Sequence, residues 1–131
     1  MYRAREKQMS IYDYLPPYHG ELCNANRWVR LAAAIDWDGF EKAYSARFAP
    51  GGKVALPARV ALGCRVIQLH YAVSDREVVA LVQESPYLQY FLGFESFTDA
   101  VPVSSRTVAR FRARIPDKAV RPAVRLLRSF Q

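Results

Sequence analysis

Apolar residues recur along this chain with the spacing of helices, and no segment alternates convincingly like a strand. The first helix is predicted after Asn26 and the second after Asp36, because both residues are good N-caps. The inward faces of these helices are formed by Trp28, Leu31, Ala32 and Ile35 and by Trp37, Phe40, Tyr44 and Phe48. The run Pro50-Gly51-Gly52 is expected to end the second helix.

The next predicted helix is apolar on two sides, which is typical of the central helix of a bundle. Pro57 suits its first position, where the missing N–H is tolerated. Gly63 lies in mid-helix, where glycine is unfavourable by up to ~1 kcal/mol, so it indicates a close helix crossing. Cys64 is interpreted as a small core side chain. The two stripes comprise Val60, Cys64, Ile67 and Tyr71, and Leu62, Val66, Leu69 and Val73.

Capping and breaking residues divide the rest of the chain into shorter helices. Ser74-Asp75-Arg76-Glu77 is a capping box that predicts a helix to about Glu84. Ser85-Pro86 then begins a short aromatic helix that ends at Gly93, and residues 94–103 are predicted to form a loop.

The C-terminal part of the chain contains two further helical segments. Ser104 or Ser105 caps a helix through about Ile115, and Pro116 interrupts it. The last segment either passes through Pro122 or begins there. Residues 21–131 are therefore predicted to form an all-α, compact bundle of about six to seven helices.

Residues 1–20 form an aromatic, proline-containing segment without helical period. Two interpretations remain open: an extended N-terminal arm across a neighbouring surface, or a frayed tail. No apolar run approaches the ~20 residues of a membrane helix, and the N-terminus has no secretory apolar stretch. A cytoplasmic protein without membrane contact is expected.

The net charge of +7 is concentrated in one region of the chain. Residues 1–103 contain 11 Lys/Arg and 11 Asp/Glu, whereas residues 104–131 contain 8 Lys/Arg and a single acid, Asp117. Such asymmetry indicates a polyanionic partner.

Within the basic region, arginines at i, i+4 and i+8 line one helix face, next to hydroxyl side chains at a helix N-terminus. Duplex DNA contact is favoured over a solvated basic face or arginines paired to acids elsewhere. The candidate DNA-binding residues are Ser104, Ser105, Arg106, Thr107, Arg110, Arg112, Arg114, Lys118, Arg121 and Arg125.

Catalytic and metal-binding patterns are weak. Asp36, Asp38 and Glu41 lie at a helix start, where acids are usually caps, and His70 is interpreted as a core or boundary histidine. The two cysteines and two histidines do not show the spacing of a zinc site. No catalytic residue, metal site or cofactor is predicted, and Cys23 is expected to be a reduced loop residue.

Several strings resemble the N-terminal domain of InsH-like insertion-sequence transposases. They span Asn26–Phe48, Leu56–Phe97 and Ser104–Ile115, and the most specific is ESPYLQYFLG at Glu84–Gly93. The opening YRAREKQMSIYDYLPP is also similar. In the family's arginine-containing helix pattern the usual lysine is replaced by Ala113.

The resemblance implies a helix-turn-helix-like domain that recognises the terminal inverted repeats of the element. In such transposases a ribonuclease-H-like domain follows, and its three acidic residues bind divalent metal and perform strand transfer. No counterpart of that triad is present, so this chain, as part of a transposase or a truncated product, is not expected to be an enzyme alone. The sequence departs from a strict helix-turn-helix, in which a turn of about 3–4 residues joins the two helices. Here the aromatic helix and about ten loop residues separate the capping-box helix from the arginine helix.

A second interpretation is a protein-interaction or dimerisation module. The tyrosine-rich arm and the aromatic segment Tyr87–Leu92 would then support a homo-oligomer or pairing with a full-length transposase. Both interpretations are compatible, because transposases commonly act as assemblies on paired DNA ends.

Overall fold

The computed structural model describes residues 22–48, 58–101 and 103–130, and these ranges contain seven α-helices and no strand. The predicted all-α class is confirmed for them. The predicted arm, the Pro50–Gly52 turn and Pro57 lie outside the described residues. The helices are α1 (Arg27–Ala34), α2 (Trp37–Phe48), α3 (Ala58–Tyr71), α4 (Asp75–Glu84), α5 (Pro86–Phe91), α6 (Ser105–Arg114) and α7 (Asp117–Ser129).

Side-chain caps lie at the N-termini of five helices, including Ser85 at α5, and four of them follow directly from the predicted N-caps. Asn26 Oδ1 accepts from the backbone N–H of Trp28 at 2.8 Å, and Asp36 Oδ1 accepts from that of Gly39 at 3.0 Å. Ser74 and Ser104 each accept from the N–H three residues ahead, at 3.1 and 3.2 Å. Ser104, rather than the next serine, is therefore the cap of α6. Each such cap stabilises its helix by about 1 kcal/mol.

The central position predicted for α3 is confirmed, since α2, α4, α6 and α7 all pack against it. Residues 60–68 are buried without interruption. Gly63 is the predicted close crossing, because a Cβ atom there would overlap the Leu92 side chain of the segment after α5. Cys64 is buried, and this burial raises the pKa of its thiol to about 12. Tyr71 departs from its predicted stripe: it is 37% exposed at the end of α3.

Three helices form a mutually packed unit: α4 and α6 contact each other, and both contact α3. Because α5 and residues 94–104 lie between α4 and α6 in the chain, they form an insertion into this unit. On the other side of α3, α7 packs against α3 and α1, and α1 packs against α5.

A buried glutamine and a half-buried arginine fix the inserted segment. Gln89 is fully buried, donates to the carbonyls of Val82 at 2.9 Å and Thr98 at 2.7 Å, and accepts from the Thr98 N–H at 2.9 Å. Arg59 donates to the carbonyls of Phe91 and Tyr90 at 2.8 and 3.0 Å, at the C-terminal end of α5. The connection from α4 to α6 is therefore part of the packed structure.

The last helix begins at Asp117 and runs through Pro122, so the alternative start at the proline is wrong. The proline ring lies on the exposed side of α7, where its missing N–H removes one backbone bond without disturbing the packed side. The packed side consists of Val120, Val124 and Leu127, which are all buried.

Candidate nucleic-acid interface

Helix α6 has an apolar face and an opposite basic face. Val108 and Phe111 are buried, as is Ile115 at its C-cap. Arg106 and Arg110, one turn apart, are exposed on the side that faces away from this apolar stripe. Small side chains, Ala109 and Ala113, flank them. The helix backbone is therefore accessible between the arginines, as close contact with another molecule requires.

At the N-terminus of α6 one serine hydroxyl caps the helix and the next serine is exposed to solvent. Ser104 is engaged inside the protein, because its Oγ accepts from the Thr107 N–H and lies 3.0 Å from Thr107 Oγ1. Ser105 and Arg106 are exposed at the same helix end. The partial positive charge of a helix N-terminus adds to the Arg106 charge and favours an anion there.

Arg112 lies on the side of α6 that faces α4 and makes a two-pronged contact with Asp75. Its Nε and Nη2 donate to the two carboxylate oxygens at 3.1 and 3.0 Å. The hydrogen bond from Arg112 lowers the pKa of Asp75, with a further contribution from Gln68. The same contact raises the pKa of Arg112. Of the predicted DNA-binding residues, Arg112 thus has a clear partner within the protein.

Helix α7 presents a second basic face. Lys118, Arg121 and Arg125 recur at i, i+3 and i+7, and all three are exposed opposite the buried valines and leucine of this helix. Arg128 instead packs onto α3, where its Nη2 donates to the His70 carbonyl at 3.3 Å. Helix α7 follows α6 in the chain after two residues, Ile115 and Pro116.

The acid of the basic region is used inside the protein. Asp117 pairs with Arg65, whose side chain is only 3% exposed. Apart from Arg112, which pairs with Asp75, and Arg114, which has an interaction of its own, the exposed cations of α6 and α7 form no ion pair with a carboxylate of the described residues. The cations without such a pair include Arg106, Arg110, Lys118, Arg121 and Arg125, whereas Arg114 has another interaction.

Sequence reasoning missed the polar groups buried beneath α6. Arg65 donates through Nε to the Ile115 carbonyl at 2.8 Å and through Nη1 to Gln68 Oε1 at 2.7 Å. Gln68 Nε2 in turn donates to Asp75 Oδ1 at 2.7 Å. The sequence did contain a signal for them: Arg65 and Gln68 lie three positions apart within the otherwise apolar stretch of α3, and buried polar residues need hydrogen-bond partners.

His70 occupies the boundary position that the sequence predicted. Its ring meets the buried Trp28 edge-on, at a centroid distance of 5.8 Å. Partial burial lowers the pKa of His70, and the neighbouring charges of Arg27 and Arg128 lower it further. In the part of the chain that the structure describes, no cluster of three or more His, Cys, Asp or Glu residues could hold a metal ion.

The aromatic segment predicted as a self-association surface lies mostly in the core. Leu88, Tyr90, Phe91 and Leu92 are buried, and Tyr87 is half-buried with its hydroxyl accepting from the Cys23 N–H at 3.0 Å. These side chains therefore stabilise the fold and leave little apolar surface for a partner. None of the described helices combines the length and apolarity that crossing a membrane requires.

Comparison with known proteins identifies the family of this chain. Residues 11–114 match the family model described as Transposase domain (DUF772). An uncharacterized protein, ORF8 in the nfe locus of Rhizobium meliloti, is 37% identical over 87 residues, which is 66% of this chain and 42% of that protein. No solved structure is a significant match. Since the family match covers more than half of the chain and includes α1 to α6, the protein belongs to the transposase domain family DUF772.

Proposed function

We propose that this protein is a DNA-binding domain of a transposase and recognises the terminal inverted repeats of its element. In this proposal α6 enters the major groove, and α7 contacts the phosphate backbone. The domain needs no cofactor for binding. Strand transfer belongs to a separate catalytic domain of the complete transposase, with its divalent metal.

The observation that carries the proposal is the outward row of Arg106 and Arg110 on α6. Like charges one turn apart destabilise a helix slightly, and no carboxylate of the described residues neutralises this pair. Phosphates or guanine edges would remove the repulsion, and arginine is the residue that contacts guanine with two hydrogen bonds.

The packing of α3, α4 and α6 supports the placement of α6 in a groove. In helix-turn-helix proteins the second helix of the pair lies in the major groove, and its N-terminal residues contact base edges. Here α4 and α6 would be that pair, with the α5 segment in place of the usual short turn. The exposed N-terminal turn of α6, with Ser105 and Arg106, suits base contact.

The proposal is tested by measuring the affinity for duplex DNA over a range of salt concentrations. Each phosphate neutralised contributes about −0.9 to the slope of log K against log salt, so five phosphates neutralised by Arg106, Arg110, Lys118, Arg121 and Arg125 would give a slope of about −4.5. Selection of bound duplexes from a random pool should enrich one sequence, and that sequence should match the ends of the element. Binding in EDTA and in Mg²⁺ should be equal.

A protein that fails to bind duplex DNA at low salt would contradict the proposal. If binding shows a steep salt slope but the selection enriches no sequence, the contacts to DNA phosphates would be supported and base recognition by α6 would be excluded. A supercharged but unrelated helical protein of equal net charge is the control for attraction by charge alone.

A further inference from the structure

The side chain of Arg112 points toward α4, away from the outward row of α6. We propose that Arg112 is a positioning residue, which orients α6 for DNA through Asp75 and is not itself a phosphate ligand. This inference rests on the proposed function. It assigns a different role to one arginine of the basic region, although the sequence pattern groups it with the DNA contacts.

The contact between Arg112 and Asp75 has the geometry of a fixed pair. Two parallel hydrogen bonds, at 3.1 and 3.0 Å, hold the guanidinium plane against the carboxylate. Asp75 is the first residue of α4, where the helix N-terminus also favours a negative charge. A single exposed ion pair is worth little, but this carboxylate has a further buried partner.

That partner is Gln68, which is 6% exposed and therefore inaccessible to DNA. It donates to Asp75 at 2.7 Å and accepts from Arg65 at 2.7 Å. A continuous chain of hydrogen bonds thus runs from Arg112 on α6 through Asp75 on α4 to two residues of α3.

Arg65 extends the chain to the corner between α6 and α7. It donates to the carbonyl of Ile115, the C-cap of α6, and pairs with Asp117, the first residue of α7. A buried charge with all these partners tolerates few alternative geometries, because leaving any of them unpaired is costly. The network therefore holds the C-terminal half of α6 at two points, one on its side and one at its end.

Holding α6 at these points fixes its rotation about its own axis. The Arg112 side chain is 55% exposed, but bringing it onto the outward row would require a rotation that turns Val108 and Phe111 out of the core, where both are buried. With the pair intact, Arg106 and Arg110 face outward. Loss of the pair should leave the helix formed but less strictly oriented.

The experiment is a double-mutant cycle of Arg112→Gln and Asp75→Asn, read as duplex affinity and salt slope. Each single substitution should weaken specific binding about tenfold, and the double variant should lose little more than either single variant. The salt slope should stay unchanged in Arg112→Gln, because no phosphate contact is removed. Circular dichroism and the melting temperature check that each variant is folded.

The matched control is Glu77→Gln, which removes one negative charge from the same turn of α4 at an exposed position. Removing a negative charge alone should strengthen binding slightly. Asp75→Asn and Glu77→Gln are therefore expected to change the affinity in opposite directions, which a general charge effect cannot produce.

Two outcomes would overturn the inference while the proposed function stands. One is a salt slope that falls by about 0.9 in Arg112→Gln, which marks a phosphate contact. The other is tighter binding by Asp75→Asn than by Glu77→Gln, which would show that Asp75 masks a DNA-binding arginine. Failure of the unsubstituted protein to bind DNA would instead refute the proposed function, and then the inference with it.

Discussion

The two basic helices, α6 and α7, look alike in sequence but are built into the protein differently. Helix α6 packs against α3 and α4 and lies within the residues matched by the family. Helix α7 packs against α3 and α1 and begins after that match ends. In our proposal one arginine of α6 orients the helix, whereas Lys118, Arg121 and Arg125 of α7 form no ion pair with a described carboxylate.

The difference shows that a row of cations in a sequence does not by itself define an interface. The position of the apolar side of each helix determines which cations face outward. Carboxylates of the same protein determine which of these cations remain free to contact a partner. Under the proposed function α6 reads bases, because its outward arginines lie beside its exposed N-terminal turn. Helix α7 has the geometry for phosphate contacts, which need charge but little angular precision.

The largest expected effect comes from the outward row of α6. The double substitution of Arg106 and Arg110 by alanine should lower specific affinity on the order of 100-fold or more, since each two-pronged guanine contact is worth ~1–3 kcal/mol. The loss for unrelated sequences should be much smaller. Competition binding with selected and scrambled duplexes measures both affinities.

The matched double substitution of Lys118 and Arg125 by alanine on α7 tests whether the two helices contribute differently to binding. It removes the same charge but should weaken binding to both duplexes equally, with a slope reduced by about 1.8. Lys42→Ala, at an exposed position of α2, serves as the remote control. If the α6 and α7 pairs reduced specific and scrambled binding alike, the division of roles between the helices would be wrong.

An intermediate effect is expected for Arg65→Met, which removes the group that joins the end of α6 to the start of α7. The Ile115 carbonyl and the Gln68 oxygen lose their donor, so the free energy of unfolding should fall by about 2 kcal/mol. Asp117 contributes less to this loss because its side chain is 53% exposed. Urea denaturation gives the measurement, and Arg76→Met, at an exposed site of α4, should change stability by less than ~0.5 kcal/mol.

The smallest expected effect is a pH dependence from His70, which lies where α7 meets α3. Its pKa in the folded protein is below the ordinary histidine value of 6.5, so the unfolded chain binds the proton more readily. The contribution of His70 to the free energy of unfolding is therefore fully present above about pH 6.5 and declines as the pH falls below that value. His70→Gln should flatten this decline in melting temperature; an equal decline in the variant would assign it to other groups.

Much of the fold could be predicted from the sequence because caps and apolar spacing act locally. Asn26, Asp36, Ser74 and Ser104 cap helices as expected. Tyr71 was misplaced because helical spacing cannot show where neighbouring helices end. The outcome at Pro122 also depended on tertiary packing, since the buried side of α7 is long enough to keep the first turn helical.

The candidate site was only partly predictable for the same reason. Local spacing separates the outward arginines of α6 from its apolar stripe, but it cannot reveal that Arg112 meets Asp75, 37 residues away in the chain. The most specific string, Glu84–Gly93, also has a structural explanation. Gln89 anchors the α5 segment, Leu92 fits against Gly63, and Gly93 adopts a φ of +90°.

The buried thiol of Cys64 gives access to the kinetics of the central helix. It lies in α3, on which both basic helices pack, and a thiol in this environment reacts only when the surrounding structure opens. Exposed Cys23 supplies the reference rate for the same disulfide reagent. The ratio of the two labelling rates therefore reports the free energy of opening around α3. A duplex that clamps α6 and α7 onto this helix should slow modification of Cys64 and leave that of Cys23 unchanged.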